Sequence, residues 1–143
     1  MLSTDDIVAI YQLESFCHHA IDHTDLSLLP QVFTADMRFD GRGCEGPLLE
    51  GLEAVTAFFA LGKPPHPPAH QASSYYAYEK DGQIRCKSKW FILDPGGSGI
   101  YVGDNDDEVV RTADGWRIRE RIATKRSGWI TPEMAKAAMA SSV

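Results

Sequence analysis

The run QASSYYAYEKDGQIRCKSKWFIL, Gln71–Leu93, sets the fold class. From Gln71 to Glu79 and again from Gln83 to Leu93 the residues read at period two, and Asp81-Gly82 between them is a strong signal for a two-residue hairpin turn. Two further strands are predicted downstream, Gly99 to Thr112 and Trp116 to Lys125, joined at Ala113-Asp114-Gly115. In the last of these, Trp116, Ile118 and Ile122 alternate with Arg117, Arg119 and Arg121, which predicts one buried and one wet face.

Upstream the period is helical. Thr4 to His23 reads as an amphipathic helix, with Thr4 as its cap, Asp5 and Asp6 in the first turn, and Ile7, Ile10, Leu13, Cys17 and Ile21 at helical spacing. A short helix limited by Pro30 follows near Asp25, then a strand around Met37 to Asp40, and a third helix over Gly51 to Leu61. The proline-rich stretch Lys63 to Pro68 has little ladder capacity and reads as a stiff loop leading to His70. Thr131 and Pro132 mark a last short helix through Ala140. Helices followed by long antiparallel strands predict an α+β fold, in which a curved sheet and its helices form a cup suited to a small apolar ligand.

The 143 residues carry 20 acidic and 14 basic side chains, a net charge of −6. This length buries roughly 68–70% of the unfolded surface, enough for one domain spanning 1–143 without staples. The acidic balance argues against nucleic acid, which is bound through clusters of Lys and Arg; the basic group from Arg117 to Arg121, with Lys125 and Arg126, is read as the wet face of a strand. Apolar runs are far short of the roughly 20 residues of a membrane span. The acidic N-terminus lacks the pattern of a secretory signal, so a cytoplasmic location is expected. Cys17, Cys44 and Cys86 are widely spaced, suggest neither a disulfide framework nor a zinc ribbon, and are read as buried thiols.

Chemistry has few places to sit. Tyr11, His18 and Asp22 fall on one helical stripe bordering the apolar face, with Glu14 and Asp25 close by; the stripe is either the rim of a cavity or the line where the helix meets solvent. His18, His19 and His23 form a weak metal pattern, better read as solvated or capping histidines. His70, at the start of the first long strand, is a structural histidine or a general base; the second role needs a buried carboxylate on its other nitrogen, for which Asp22 is the candidate. Asp104, Asp106, Asp107 and Glu108 lack calcium-loop spacing and read as a solvated interruption or bulge. No cofactor or metal motif is evident, and Trp90, Trp116, Tyr75, Tyr76 and Tyr78 read as core and sheet residues.

Several of these segments together resemble one family. Tyr11, the run His19-Ala20-Ile21-Asp22-His23-Thr24-Asp25, and Leu29 through Asp36 look like the opening of SnoaL-like proteins of the nuclear transport factor two-like superfamily. Gly51 to Phe58 resembles the family's third helix, Ala69-His70-Gln71 its histidine at the strand start, and Gly99-Ile100-Tyr101 with Arg111 to Ile118 its closing hairpin. The resemblance covers residues 5 to 126 or so. It departs at Gln71, where many relatives carry a second histidine, and at Ser74, where asparagine is common.

The resemblance implies a cone-shaped α+β barrel with an internal pocket. In the dehydratase and dehydrochlorinase branch an Asp–His dyad is catalytic, and Asp22 and His70 match its positions. The implied activity is cofactor-independent acid–base catalysis of dehydratase, isomerase or cyclase type on a small hydrophobic polyketide-, steroid- or aromatic-like molecule. Tyr11, His18 and Tyr101 are the candidate substrate contacts. The alternative is a non-catalytic binding or structural subunit. A homodimer or homotrimer is expected, with residues 126–143 as a tail that can form a lid. A catalytic reading calls for a contact of about 3 Å between Asp22 and His70, beside an apolar cavity of roughly 300 Å³ or more.

Overall fold

Residues 1–62, 66–93, 100–126 and 140 are described by a computed structural model of the chain. The predicted C-terminal helix and lid therefore lie almost wholly outside the described residues, as does the first part of the proline-rich loop. Helix α1 spans Thr4–Asp22. Its cap is Ser3 and not Thr4: the Ser3 hydroxyl accepts from the Asp6 N–H at 3.1 Å, and the Asp6 carboxylate accepts in return from the Ser3 N–H at 3.1 Å. This reciprocal pair satisfies two of the helix's orphan donors. A 3-10 turn at Leu26–Leu28 and the short helix α2, Leu29–Val32, follow, with Pro30 in the first turn where its missing N–H costs nothing.

The remaining elements are β1 (Phe33–Gly43), β2 (Leu48–Glu50), α3 (Leu52–Phe59), β3 (Gln71–Lys80), β4 (Gln83–Leu93), β5 (Ile100–Thr112) and β6 (Gly115–Arg126). They build one curved six-stranded sheet of order β2-β1-β6-β5-β4-β3, which does not close on itself. Neighbours are antiparallel except at β1 and β6, which run parallel. The strand read at Met37 to Asp40 extends to Phe33–Gly43 because it pairs on both sides, with β2 and with β6. The hairpin between β3 and β4 turns at Asp81 and Gly82, both at positive φ (53° and 77°), the geometry an Asp-Gly turn requires.

The inner face of the sheet holds α1. Ile10, Cys17, Ala20 and Ile21 pack with Leu29, Val32, Met37, Val55, Val109 and Ile118 in a single core. Each large aliphatic side chain so buried contributes roughly 1.5–3 kcal/mol. On the outer face, Arg38, Asp40, Arg42, Arg85, Asp106 and Glu120 form a continuous ladder of ion pairs.

Two readings of the strands are corrected here. Arg121 is not on the wet face: it is 4% exposed, on the inner side of the sheet. The cause is a bulge, because Glu108 pairs with Glu120 while Val109 pairs with Ile118, so Arg119 is an extra residue on β6. An added residue reverses the alternation beyond it, and the inward set passes from Trp116 and Ile118 to Arg121 and Ala123. On the facing strand, Asp107 is likewise fully buried and not solvated. Of the three free cysteines, Cys17 and Cys86 are buried, whereas Cys44 is half-buried. Among the described residues no helix is long and apolar enough to cross a membrane.

Candidate functional site

Asp22 is the last residue of α1, and His70 directly precedes β3. His70 Nδ1 lies 2.6 Å from Asp22 Oδ1, and the His70 backbone N–H donates to Asp22 Oδ2 at 2.8 Å. One carboxylate thus fixes both the ring and the start of the strand. Burial opposes ionisation of Asp22, but the side-chain and backbone hydrogen bonds from His70 outweigh it, leaving the carboxyl below its ordinary value. An ionised Asp22 can only accept, so Nδ1 of His70 carries the proton and Nε2 is left as the basic nitrogen.

His18, one turn before Asp22, stands with its ring centre 5.8 Å from that of His70. Its Nδ1 is 2.9 Å from the Glu14 carbonyl oxygen. Burial, reinforced by the Arg121 charge, pulls the His18 pKa down to about 3, so the ring is neutral at physiological pH.

Behind His18 is a buried ionic cluster that periodicity did not reveal. Arg121 Nε donates to both Asp107 oxygens at 3.0 Å, Nη2 donates to Glu14 Oε2 at 2.7 Å, and Nη1 donates to Cys17 Sγ at 3.2 Å. Burial, then the nearby Asp107 charge, raises the Glu14 pKa well above its ordinary value, which favours a neutral acid beside an Arg121–Asp107 ion pair. Burial also pushes the Cys17 thiol up to about 12, so it is no nucleophile.

His70 of the dyad and Arg121 of the cluster border one cavity of about 170 Å³. Its apolar wall is Ile21, Phe39, Phe58, Phe59, Trp90 and Ile92; its polar members include His18, His70, Asn105 and Arg121. This is smaller than the roughly 300 Å³ expected, because the rings of Phe39, Phe58 and Phe59 crowd together with centres 5.4–6.0 Å apart. A polar depression of about 460 Å³, lined by Ser15, His19, Asp22, His23 and Tyr75 among others, shares His18 and His70 with it. Gly103 gives Trp90 its place: a Cβ there would lie 2.1 Å from the indole and 2.3 Å from the Thr124 carbonyl oxygen.

The structure thus brings His18, Asp22 and His70 together. Tyr11 and Tyr101 are not among the cavity's lining residues: Tyr11 packs on Tyr75 at 5.6 Å, and Tyr101 lies under the Lys125 ammonium at 4.2 Å. His19 and His23 stack on each other at the exposed end of α1. Among the described residues no three ligand-type side chains converge as a metal site.

A SnoaL-like domain matches residues 3–122. The chain belongs to the SnoaL-like family. No curated protein matches this SnoaL-like chain significantly by sequence. Solved structures do resemble it. A Novosphingobium aromaticivorans protein, described only provisionally as an aromatic ring hydroxylase, is 22% identical with a TM-score of 0.72, over 90% of this chain and 94% of that one. A Nostoc punctiforme protein of unknown function with a cystatin-like fold gives 15% identity and a TM-score of 0.73, covering 89% and 96%. ActVI-ORFA of Streptomyces coelicolor gives 18% and 0.63, covering 82% and 95%. At these identities the likeness concerns the fold.

Proposed function

We propose that this SnoaL-like protein is a cofactor-independent acid–base enzyme of dehydratase, isomerase or cyclase type that acts on a small apolar ring compound. The observation that carries the reading is the doubly bonded pair: Asp22 holds both Nδ1 and the backbone N–H of His70, and His70 borders an apolar cavity. His70 Nε2 takes a proton from carbon next to a carbonyl or leaving group, and Asp22 orients the ring and steadies the imidazolium. Neutral His18 adds no like charge when His70 becomes cationic. The provisional description of the Novosphingobium neighbour as an aromatic ring hydroxylase accords with a ring-containing substrate.

A positioned base is worth about 10²–10⁴-fold, or roughly 3–5 kcal/mol of barrier. The test is deuterium exchange at the α-carbons of a panel of monocyclic ketones in heavy water, followed by NMR. Catalysed exchange is expected, with His70→Ala slowing it by that factor; a folded His70→Ala protein that exchanges at the wild-type rate refutes the dyad. One observation favours a second reading, ligand binding without chemistry: a cavity of 170 Å³ is small beside the roughly 300–1,000 Å³ usual for ligand pockets. In that case no ketone exchanges faster than in buffer.

A further inference from the structure

The shape and polarity of the cavity say more about its ligand than the dyad does. An apolar protein cavity of about 150 Å³ is known to hold benzene; at about 170 Å³, this one has room for one six-membered ring and a small substituent. A fused second ring would extend beyond this volume, toward the depression that shares His18 and His70. Among the described residues, the charged group of Arg121 is already engaged by Asp107 and Glu14. An uncharged ligand is therefore favoured, since a charge would have to be buried unpaired.

His18 supplies the polar preference. A carbonyl oxygen only accepts, so the contact between Nδ1 and the Glu14 carbonyl fixes the proton on Nδ1. Nε2 then carries a lone pair, on the ring edge turned away from the helix's own carbonyl. His18 is 8% exposed, it lines the cavity, and its Nε2 has no hydrogen-bond partner among the described residues. His66 is different, because its Nε2 is already occupied by the Phe58 carbonyl oxygen at 2.8 Å. That nitrogen is open to a hydrogen-bond donor on a ligand in the cavity, and one such bond in an apolar setting adds to affinity.

We propose that the cavity selects an uncharged single ring bearing a hydroxyl group, of phenol or enol type, and that His18 Nε2 accepts the hydrogen bond from that hydroxyl. The proposal deepens the acid–base reading and rests on it for the reacting bond, while the selectivity itself concerns binding. It places the ring between the His18 acceptor and the His70 base, with the phenylalanine and tryptophan side chains around it.

The experiment is calorimetric binding of phenol, benzene and 2-naphthol to the full chain, wild type and His18→Phe, at neutral pH. Wild type is expected to bind phenol about tenfold more tightly than benzene, the effect of one well-made hydrogen bond, and 2-naphthol more weakly than phenol. His18→Phe is expected to lose the preference for phenol and to keep benzene. Equal or tighter binding of benzene by wild type overturns the hydroxyl, 2-naphthol binding as tight as phenol overturns the single ring, and an unchanged preference in His18→Phe overturns the acceptor. Should that variant not fold, nitrogen NMR of wild-type protein decides: the unprotonated nitrogen signal of His18 moves on adding phenol, and an unmoved signal refutes the contact. His70→Ala separates the two readings, because it retains the phenol preference if His18 is the selector, whatever it does to proton exchange.

Discussion

Replacing His18 with phenylalanine removes one proton from the acid unfolding of this chain. In the folded protein, burial first and then the Arg121 charge hold the His18 pKa at about 3 against an ordinary 6.5. Between those values the unfolded chain binds a proton that the folded chain does not, so stability rises with pH and is lost as pH falls below the unfolded value. At 1.36 kcal/mol per unit, moving from about pH 7.5 to about pH 5 costs wild type roughly 2 kcal/mol through this residue alone. Glu14 acts with the opposite sign, because its raised pKa lets the folded state keep a proton that the unfolded state has released. Comparing wild type with His18→Phe cancels that contribution, since Glu14 is present in both. Urea unfolding followed by tryptophan fluorescence at the two pH values gives the stability gap between the proteins. The gap is expected to shift by about 2 kcal/mol in favour of the variant at the lower pH; a gap constant to within about 0.5 kcal/mol refutes the argument that His18 is buried neutral.

Three other substitutions probe the surroundings. Asp107→Asn leaves Arg121 without its ion-pair partner and is expected to cost about 3–5 kcal/mol in urea unfolding, whereas Glu14→Gln, which resembles the neutral acid, costs less than about 1.5 kcal/mol at neutral pH; equal losses would contradict the assignment of the proton to Glu14. Gly103→Ala drives a Cβ against Trp90 and the Thr124 carbonyl oxygen, with an expected stability loss of about 1–3 kcal/mol in urea unfolding and, as the indole moves, weaker phenol binding in a calorimetric titration. Ser74 sits at φ 55°, at the register shift in β3; Ser74→Gly relieves that left-handed strain and is expected to raise stability by up to about 1 kcal/mol, measured as a higher urea midpoint.

The fold and the dyad were legible for separate reasons. Asp81-Gly82 specifies its turn locally, and the apolar positions of α1 repeat over about four turns, so neither needs knowledge of distant residues. Placing Asp22 against His70 rested on the resemblance to SnoaL-like proteins, because 48 positions separate the partners and no local pattern links them. Arg121 escapes a reading by alternation because alternation assumes an unbroken register, and a single extra residue at Arg119 reverses it. Glu14 left one usable signal: it sits four residues after Ile10 and four before His18, an acidic residue within an inward-facing stripe. Its partners lie 107 and 93 positions away, beyond the reach of any local reading. The cavity volume depends on how three phenylalanine rings meet, and that is a property of packing alone.

Glu14, His18 and Asp22 are spaced four apart on α1, which places them in succession along one side of the helix. The first is held by Arg121, the second borders the cavity, and the third grips His70. Rotation of α1 about its axis would move all three together, so whatever fixes Glu14 also fixes the site. What fixes Glu14 is an arginine that faces inward only because β6 carries one residue more than β5 at the bulge. The bulge, the buried cluster and the dyad are therefore one mechanical chain. Its ionic link costs desolvation that well-packed apolar side chains would not incur, and what it supplies in exchange is a single rotational setting of α1, with His18 and Asp22 both turned to the sheet.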